Sequence, residues 1–211
     1  MDKKDVEERI QKENYVVRFK TPSETNVVFN DIIRGEILVG TRDIDDKILF
    51  KSDGMPTYHL ANVVDDHLMK ISTVVRGEEW LSSLPTHFLI YDAFNWTPPN
   101  FLHLPLILNP KGKGKLSKRD GDLYGFPVFA INWNKNLSQN NGFKDAGFAP
   151  ISLLNYLSQL GGSFKNHEEI HSFNDFIAAF EVKKISKGGS KFDYEKAKWI
   201  NSKFIQTIDV Q

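Results

Sequence analysis

Apolar residues first appear as a thin helical stripe: Val6 and Ile10 in MDKKDVEERIQKEN predict a helix over 1–13 that can lean on a neighbour but not anchor a domain. The pattern then shortens. YVVRF (15–19), NVVF (26–29), DIIRGEILVG (31–40) and KILF (47–50) are β-branched and aromatic runs separated by turn-forming residues, which predicts a small antiparallel sheet. From Pro56 the period changes again. PTYHLANVVDDHLM predicts a helix, ISTVVRG a strand, Pro85 to Phe94 a second helix and FLHLPLILNP (101–110) a second strand. This α-β-α-β alternation predicts an α/β fold with a parallel sheet, whose sites sit at the carboxyl ends of strands. Two polar segments fall there, RGEEW (76–80) and NPKGKGKLSKRDGD (109–122). Beyond Pro127 the pattern is mostly helical, with helices over 149–162, 172–180 and 193–205 after an Asn- and Gly-rich surface loop at 132–147.

Composition narrows the chemistry. The 211 residues contain no cysteine, which excludes disulfides and removes the thiolate ligands of a structural zinc, and the six histidines have no metal-ligand spacing. No apolar run approaches the ~20 residues of a membrane span, and the charged N-terminus is no signal peptide, so a cytoplasmic protein is expected. Basic and acidic residues balance at 27 each, so any nucleic-acid contact has to be local.

The local candidate is the loop at 111–122. Lys111, Lys113, Lys115, Lys118 and Arg119 are interleaved with glycines, which leave backbone N–H groups open to oxygens while the cations offset phosphate charge. A polyphosphate is the natural partner, and a solvated basic loop is the plain alternative. A Walker A pattern is absent. Elsewhere, Tyr58 and Asn62 lie one helical turn apart and so on one face, either a pocket wall or a core face. Arg76 suits a carboxylate, through its two parallel N–H donors, but could equally pair with Glu78 or Glu79. Trp80 by itself reads as a buried anchor under the following helix. The Asp65–Asp66 pair reads as a solvated face or a packing salt bridge, and His59, His67, His87 and His103 as structural.

The order KLSKR (115–119) resembles the K-M-S-K-S signature of class I aminoacyl-tRNA synthetases, in the form found in glutamyl- and glutaminyl-type enzymes. The surrounding text, LPTHFLIYDAFNW, FLHLPLILNPKGKGKLSKRDGD and GFPVF, is similar to the bacterial glutamyl enzymes, as are MPTYHLANVVDDHLMKISTVVRGEEWL, GFAPISLLNYLSQLGG and SKGGSKFDYEKAKWIN, together covering most of 15–205.

The resemblance implies the second half of a class I Rossmann-type parallel sheet at 51–131, preceded by the end of an inserted acceptor-binding domain (1–50) and followed by a helical stem-contact domain (132–211). It implies that Lys115 and Lys118 are catalytic; that Lys115, Leu116, Ser117, Lys118 and Arg119 bind ATP; and that Tyr58, Asn62, Arg76 and Trp80 border glutamate and the terminal adenosine of tRNA. Implied substrates are L-glutamate, tRNA(Glu) and ATP with Mg2+, in a monomer without structural zinc. The family's H-I-G-H motif is not in these 211 residues, and RFKTPSE (18–24) echoes the family's opening text only superficially. The chain is therefore expected to be an internal fragment, nearly inert alone and lacking an anticodon-binding domain. The competing readings are a tRNA-binding module without catalysis and a glutaminyl-type or queuosine-modifying relative.

Overall fold

A computed structural model describes residues 2–11, 14–131, 142–162 and 170–207. The chain divides into two compact units, Met1–His103 and Leu104–Gln211.

The first unit begins with helix α1 (Lys3–Ile10), followed by strands β1 (Val17–Arg18), β2 (Asn26–Asp31), β3 (Gly35–Gly40) and β4 (Ile48–Phe50). Helix α2 (Tyr58–Leu68), strand β5 (Thr73–Gly77), helix α3 (Leu84–Ala93) and strand β6 (Asn100–Leu104) complete it. The runs expected to form one small antiparallel sheet enter two. Strands β2 and β3 pair antiparallel, with Val27 opposite Val39 and Phe29 opposite Ile37, and β6 takes the other edge of β2 in parallel at Asp31 and Phe101. The resulting four-stranded sheet has the order β3-β2-β6-β5. With both edges of β2 occupied, β1 and β4 pair with each other. Strands of the larger sheet thus lie on both sides of residue 50, and the compact units part at His103 and Leu104.

Along β2 burial alternates, so Val27, Phe29 and Asp31 face inward. The two apolar residues join Leu49, Val63, Leu84, Ile90, Tyr91 and Phe101 in the core. Asp31 extends the same inward row, and one of its oxygens accepts from the N–H groups of Ile33 and Arg34 at 3.0 and 2.9 Å, closing the turn into β3. Gly35 completes that turn at φ +83°, a conformation that favours glycine.

The single strand expected over 101–110 is two. Pro105 has no N–H to give a ladder, and the chain leaves β6 at Leu104 and resumes as β7 (Ile107–Leu108) in the second unit. There it pairs in parallel with β8 (Ser190–Lys191), a strand hidden from the sequence pattern by its two-residue length. A Cβ on Gly189 would stand 2.6 Å from the Leu106 carbonyl oxygen, so this approach needs glycine.

The other elements of the second unit are α4 (Lys118–Tyr124), α5 (Pro150–Gly161), α6 (Phe173–Ala179) and α7 (Tyr194–Ile205), with the last three close to the helices expected from periodicity. Of the expected loop at 132–147, residues 132–141 lie outside the described residues. Phe126, Phe143, Phe148, Tyr156, Phe192, Ala197 and Ile200 form the core. Asn201 joins α7 to the start of α5: its Oδ1 accepts from Ala149 N–H at 2.9 Å and the Ser152 hydroxyl at 2.6 Å, and its Nδ2 donates to Gly147 O at 3.0 Å.

Candidate functional site

Each unit carries one cluster of the residues singled out in the sequence. In the first, α2 starts immediately after Thr57, whose hydroxyl donates to Ile48 O at 2.7 Å and ties the helix start to β4. Tyr58 is therefore presented at the first position of the helix. Trp80 follows β5 on a 3-10 turn over Glu78–Ser83, and its ring meets that of Tyr58 at 4.5 Å with a 37° tilt. Tyr58 is 45% and Trp80 38% exposed, which excludes a fully buried anchor for either. With His59, Thr57, Lys47 and Asp46 they line an open groove.

Arg76, near the end of β5, lies behind this wall. Its Nε donates to His103 Nε2 at 3.0 Å, while Nη1 is 3.5 Å from His87 Nδ1 and Nη2 donates to Trp80 O at 3.5 Å. Its guanidinium carbon also lies 5.5 Å from the Phe101 ring centroid. Glu78, one of the two acids considered as its partner, instead forms an ion pair with Arg34. The hydrogen-bonding partners of Arg76 among the described residues are thus two imidazoles and a carbonyl.

Those imidazoles are held neutral. Burial drives the His87 pKa down to about 3, with the positive charge of Arg76 acting in the same direction. Burial also lowers His103 against the opposing hydrogen bond to Asp31, and lowers His59 with help from Lys47 and Arg76. His87 Nε2 lies 3.1 Å from His59 Nδ1, so the chain of contacts runs from Arg76 to the groove. These contacts engage at most three of the five guanidinium N–H donors, and none of these partners carries a counter-charge.

Asn62 is turned along its own helix, donating to Asp66 at 2.9 Å, one turn on. Burial raises the Asp66 pKa, and the hydrogen bond from Asn62 opposes the rise. His67 stacks flat on Trp96 at 3.8 Å, in keeping with a structural role.

In the second unit the lysine loop is a fold with a defined scaffold. Asn109 N–H donates to Gly114 O at 2.9 Å and Leu116 N–H to Ile107 O at 2.8 Å, bringing the two ends of the loop side by side. Asn109 Oδ1 accepts from the N–H groups of Lys111 and Gly112 at 2.9 and 2.6 Å, and its Nδ2 donates to Asp120 at 2.6 Å. The other Asp120 oxygen accepts from the N–H and hydroxyl of Ser117, at 2.7 and 2.8 Å. Ser117 is thereby the N-cap of α4 in a capping box, and Lys118 is the first helical residue.

Leu116 is half-buried against the core of this unit, while Lys111, Lys113, Lys115, Lys118 and Arg119 are exposed. Lys118 Nζ stands 5.2 Å from the Phe129 ring centroid and Lys111 Nζ 4.7 Å from that of Tyr124, contacts that hold each ammonium near an aromatic face. Such a loop can accept the charge of a polyphosphate. Asn109 and Asp120, which shape it, escaped the sequence reading. Their signal was a turn-forming Asn-Pro before the glycines and an acid three residues after a serine.

A family model of the class I tRNA synthetases (E and Q), catalytic domain, matches residues 1–199. The chain belongs to that family. Among curated synthetases, it is 53% identical to the glutamate–tRNA ligase of Flavobacterium psychrophilum over 201 residues, covering 95% of this chain and 40% of the relative. It is 50% identical to that of Christiangramia forsetii, covering 99% and 42%. A solved glutamate–tRNA ligase from Elizabethkingia meningosepticum, in complex with its amino acid, superposes with a TM-score of 0.90 at 46% identity, covering 99% of this chain and 42% of that one. The chain thus spans about two fifths of the length of these synthetases.

Proposed function

We propose that this chain forms part of a glutamate–tRNA ligase, contributing the wall of the amino-acid pocket and the loop that meets ATP. Arg76 carries the reading. A guanidinium bonded only to neutral partners among the described residues, next to the exposed Tyr58–Trp80 pair, is suited to a substrate carboxylate. The relatives, at about 50% identity, favour this over an RNA-binding module without catalysis.

In the proposed reaction an oxygen of the glutamate α-carboxylate attacks the α-phosphorus of MgATP. The new phosphorus–oxygen bond forms as the bond to the β-phosphate oxygen breaks, and pyrophosphate departs as an anion. A hydroxyl of the terminal adenosine of tRNA(Glu) then attacks the activated carbonyl, and AMP leaves with its phosphate taking up the hydroxyl proton. The attacking carboxylate and the leaving pyrophosphate are both anions, so activation depends on positioning and charge stabilisation rather than on a general base. Lys115 and Lys118 offset phosphate charge, Ser117 and Leu116 hold the loop, and Arg119 adds positive charge beside it. Tyr58, Asn62 and Trp80 border glutamate and the terminal adenosine.

The test replaces the matching segment of the Flavobacterium psychrophilum ligase with this chain and measures ATP–pyrophosphate exchange. Exchange dependent on glutamate and tRNA(Glu), and not supported by glutamine, is expected. A well-folded chimera that exchanges equally with glutamine would overturn the assignment.

A further inference from the structure

We propose that Asp31 is a positioning residue of the amino-acid site, acting through His103 to set the direction of the Arg76 guanidinium. Asp31 and His103 are both fully buried, and they are 72 residues apart in sequence. Asp31 Oδ2 faces His103 twice, accepting from its backbone N–H at 3.0 Å and contacting its Nδ1 at 2.8 Å.

Because Asp31 offers acceptors, the proton between the two side chains belongs on Nδ1. Nε2 is then bare, and it is this nitrogen that accepts from Arg76 Nε–H at 3.0 Å. With Nε fixed, the planar guanidinium can turn little, and its two Nη groups are aimed toward His87 and Trp80 O. The opposite tautomer of His103 would bring two N–H groups face to face and release Arg76. The lowered pKa of His103, due first to burial, favours the neutral ring this arrangement needs.

The arrangement follows from the strand pattern. Asp31 ends the inward row of β2, where an apolar side chain would continue the core, and its other oxygen is held by the turn amides of Ile33 and Arg34. Its orientation is therefore set before any ligand arrives. The role in substrate binding rests on the reading of Arg76 given above.

The experiment uses the 15N-labelled chain. Imidazole spectra at about pH 8, above the ordinary histidine range, should show His103 protonated on Nδ1 and bare on Nε2. In D31N the amide keeps an oxygen for the turn but presents N–H groups to His103, so the tautomer should reverse. Exchange of the Arg76 Nε–H with solvent should then accelerate by about tenfold or more, the scale set by one charged hydrogen bond. D31N with a native backbone spectrum and unchanged Arg76 exchange overturns the proposal.

If D31N does not fold, H103Q and H103N decide. A glutamine oxygen can replace Nε2 toward Arg76, whereas asparagine can replace Nδ1 toward Asp31 but leaves Arg76 without its acceptor. Protected Arg76 in H103Q and fast exchange in H103N show that an acceptor at the Nε2 position holds Arg76, as the relay requires; equal exchange in both overturns it. Adding L-glutamate should shift the Arg76 Nε–H signal, with an affinity about tenfold lower in whichever variant releases Arg76. An Arg76 signal unmoved by glutamate in the unsubstituted chain overturns the glutamate reading, which is distinguished from failure of the relay because exchange is measured without ligand.

Discussion

Asn109 Nδ2 donates to Asp120 Oδ1 at 2.6 Å, joining the residue that opens the lysine loop to the residue that closes it. Both side chains also bind loop amides, so the loop has two internal clamps rather than one. Asn109→Ala should accelerate hydrogen exchange at Lys111 and Gly112 while leaving the amides of Tyr156 and Ile200 protected. Asp120→Ala should also remove the cap of α4, a local loss of about 1–2 kcal/mol. Unchanged exchange at Gly112 in Asn109→Ala would show that the clamp is not what shapes the loop.

Acid should destabilise the first unit through its buried histidines. His87 has its folded-state pKa lowered from 6.5 to about 3, so its contribution is present above pH 6.5 and is lost as the pH falls through that window. The full effect is on the order of 5 kcal/mol, and the lowered His59 and His103 act in the same direction. Urea midpoints measured at descending pH should fall for the unsubstituted chain and fall less for H87Q. Parallel curves for the two would remove His87 as the cause.

Asn201 provides a comparable check on the second unit. Asn201→Ala breaks three hydrogen bonds and leaves Ser152, itself buried, without one of its partners. A loss of about 2–4 kcal/mol is expected from urea denaturation followed by a probe in that unit. A change below about 0.5 kcal/mol would mean that the cluster is solvated as well as it is bonded.

The 211 residues contain no H-I-G-H motif, which the proposed reaction would need beside the lysine loop. The chain alone is therefore expected to show no glutamate-dependent ATP–pyrophosphate exchange above background. Turnover by the isolated chain would show that the loop and pocket residues suffice for activation.

Much of the fold was legible where the pattern is local. Helices α2, α5 and α7 announce themselves by period and by Pro or cap residues at their starts, and α3, apolar on every side, by its proline. The α-β-α-β pattern placed β5 and β6 in one sheet, but the partner of β2 was not legible, because nothing in NVVF states that β6, some seventy residues later, will occupy its second edge. The lysine loop stood out by charge and family text, while its clamps did not, since one asparagine and one aspartate carry no periodic signal. The histidines read as structural in the sequence, but their hydrogen-bonded sequence from Asp31 through His103 to Arg76 depends on strands that meet only in three dimensions.

With Arg76 proposed for the amino acid and Lys118 for the triphosphate, steady-state exchange kinetics in the chimeric ligase separate the two roles most directly. Arg76→Lys should raise KM for glutamate by about tenfold or more with KM for ATP little changed, because lysine cannot offer paired donors to a carboxylate. Lys118→Ala should lower kcat by about a hundredfold while leaving KM for glutamate near its original value. The contradicting result is a folded pair of variants in which Arg76→Lys leaves KM for glutamate unchanged or Lys118→Ala leaves kcat unchanged.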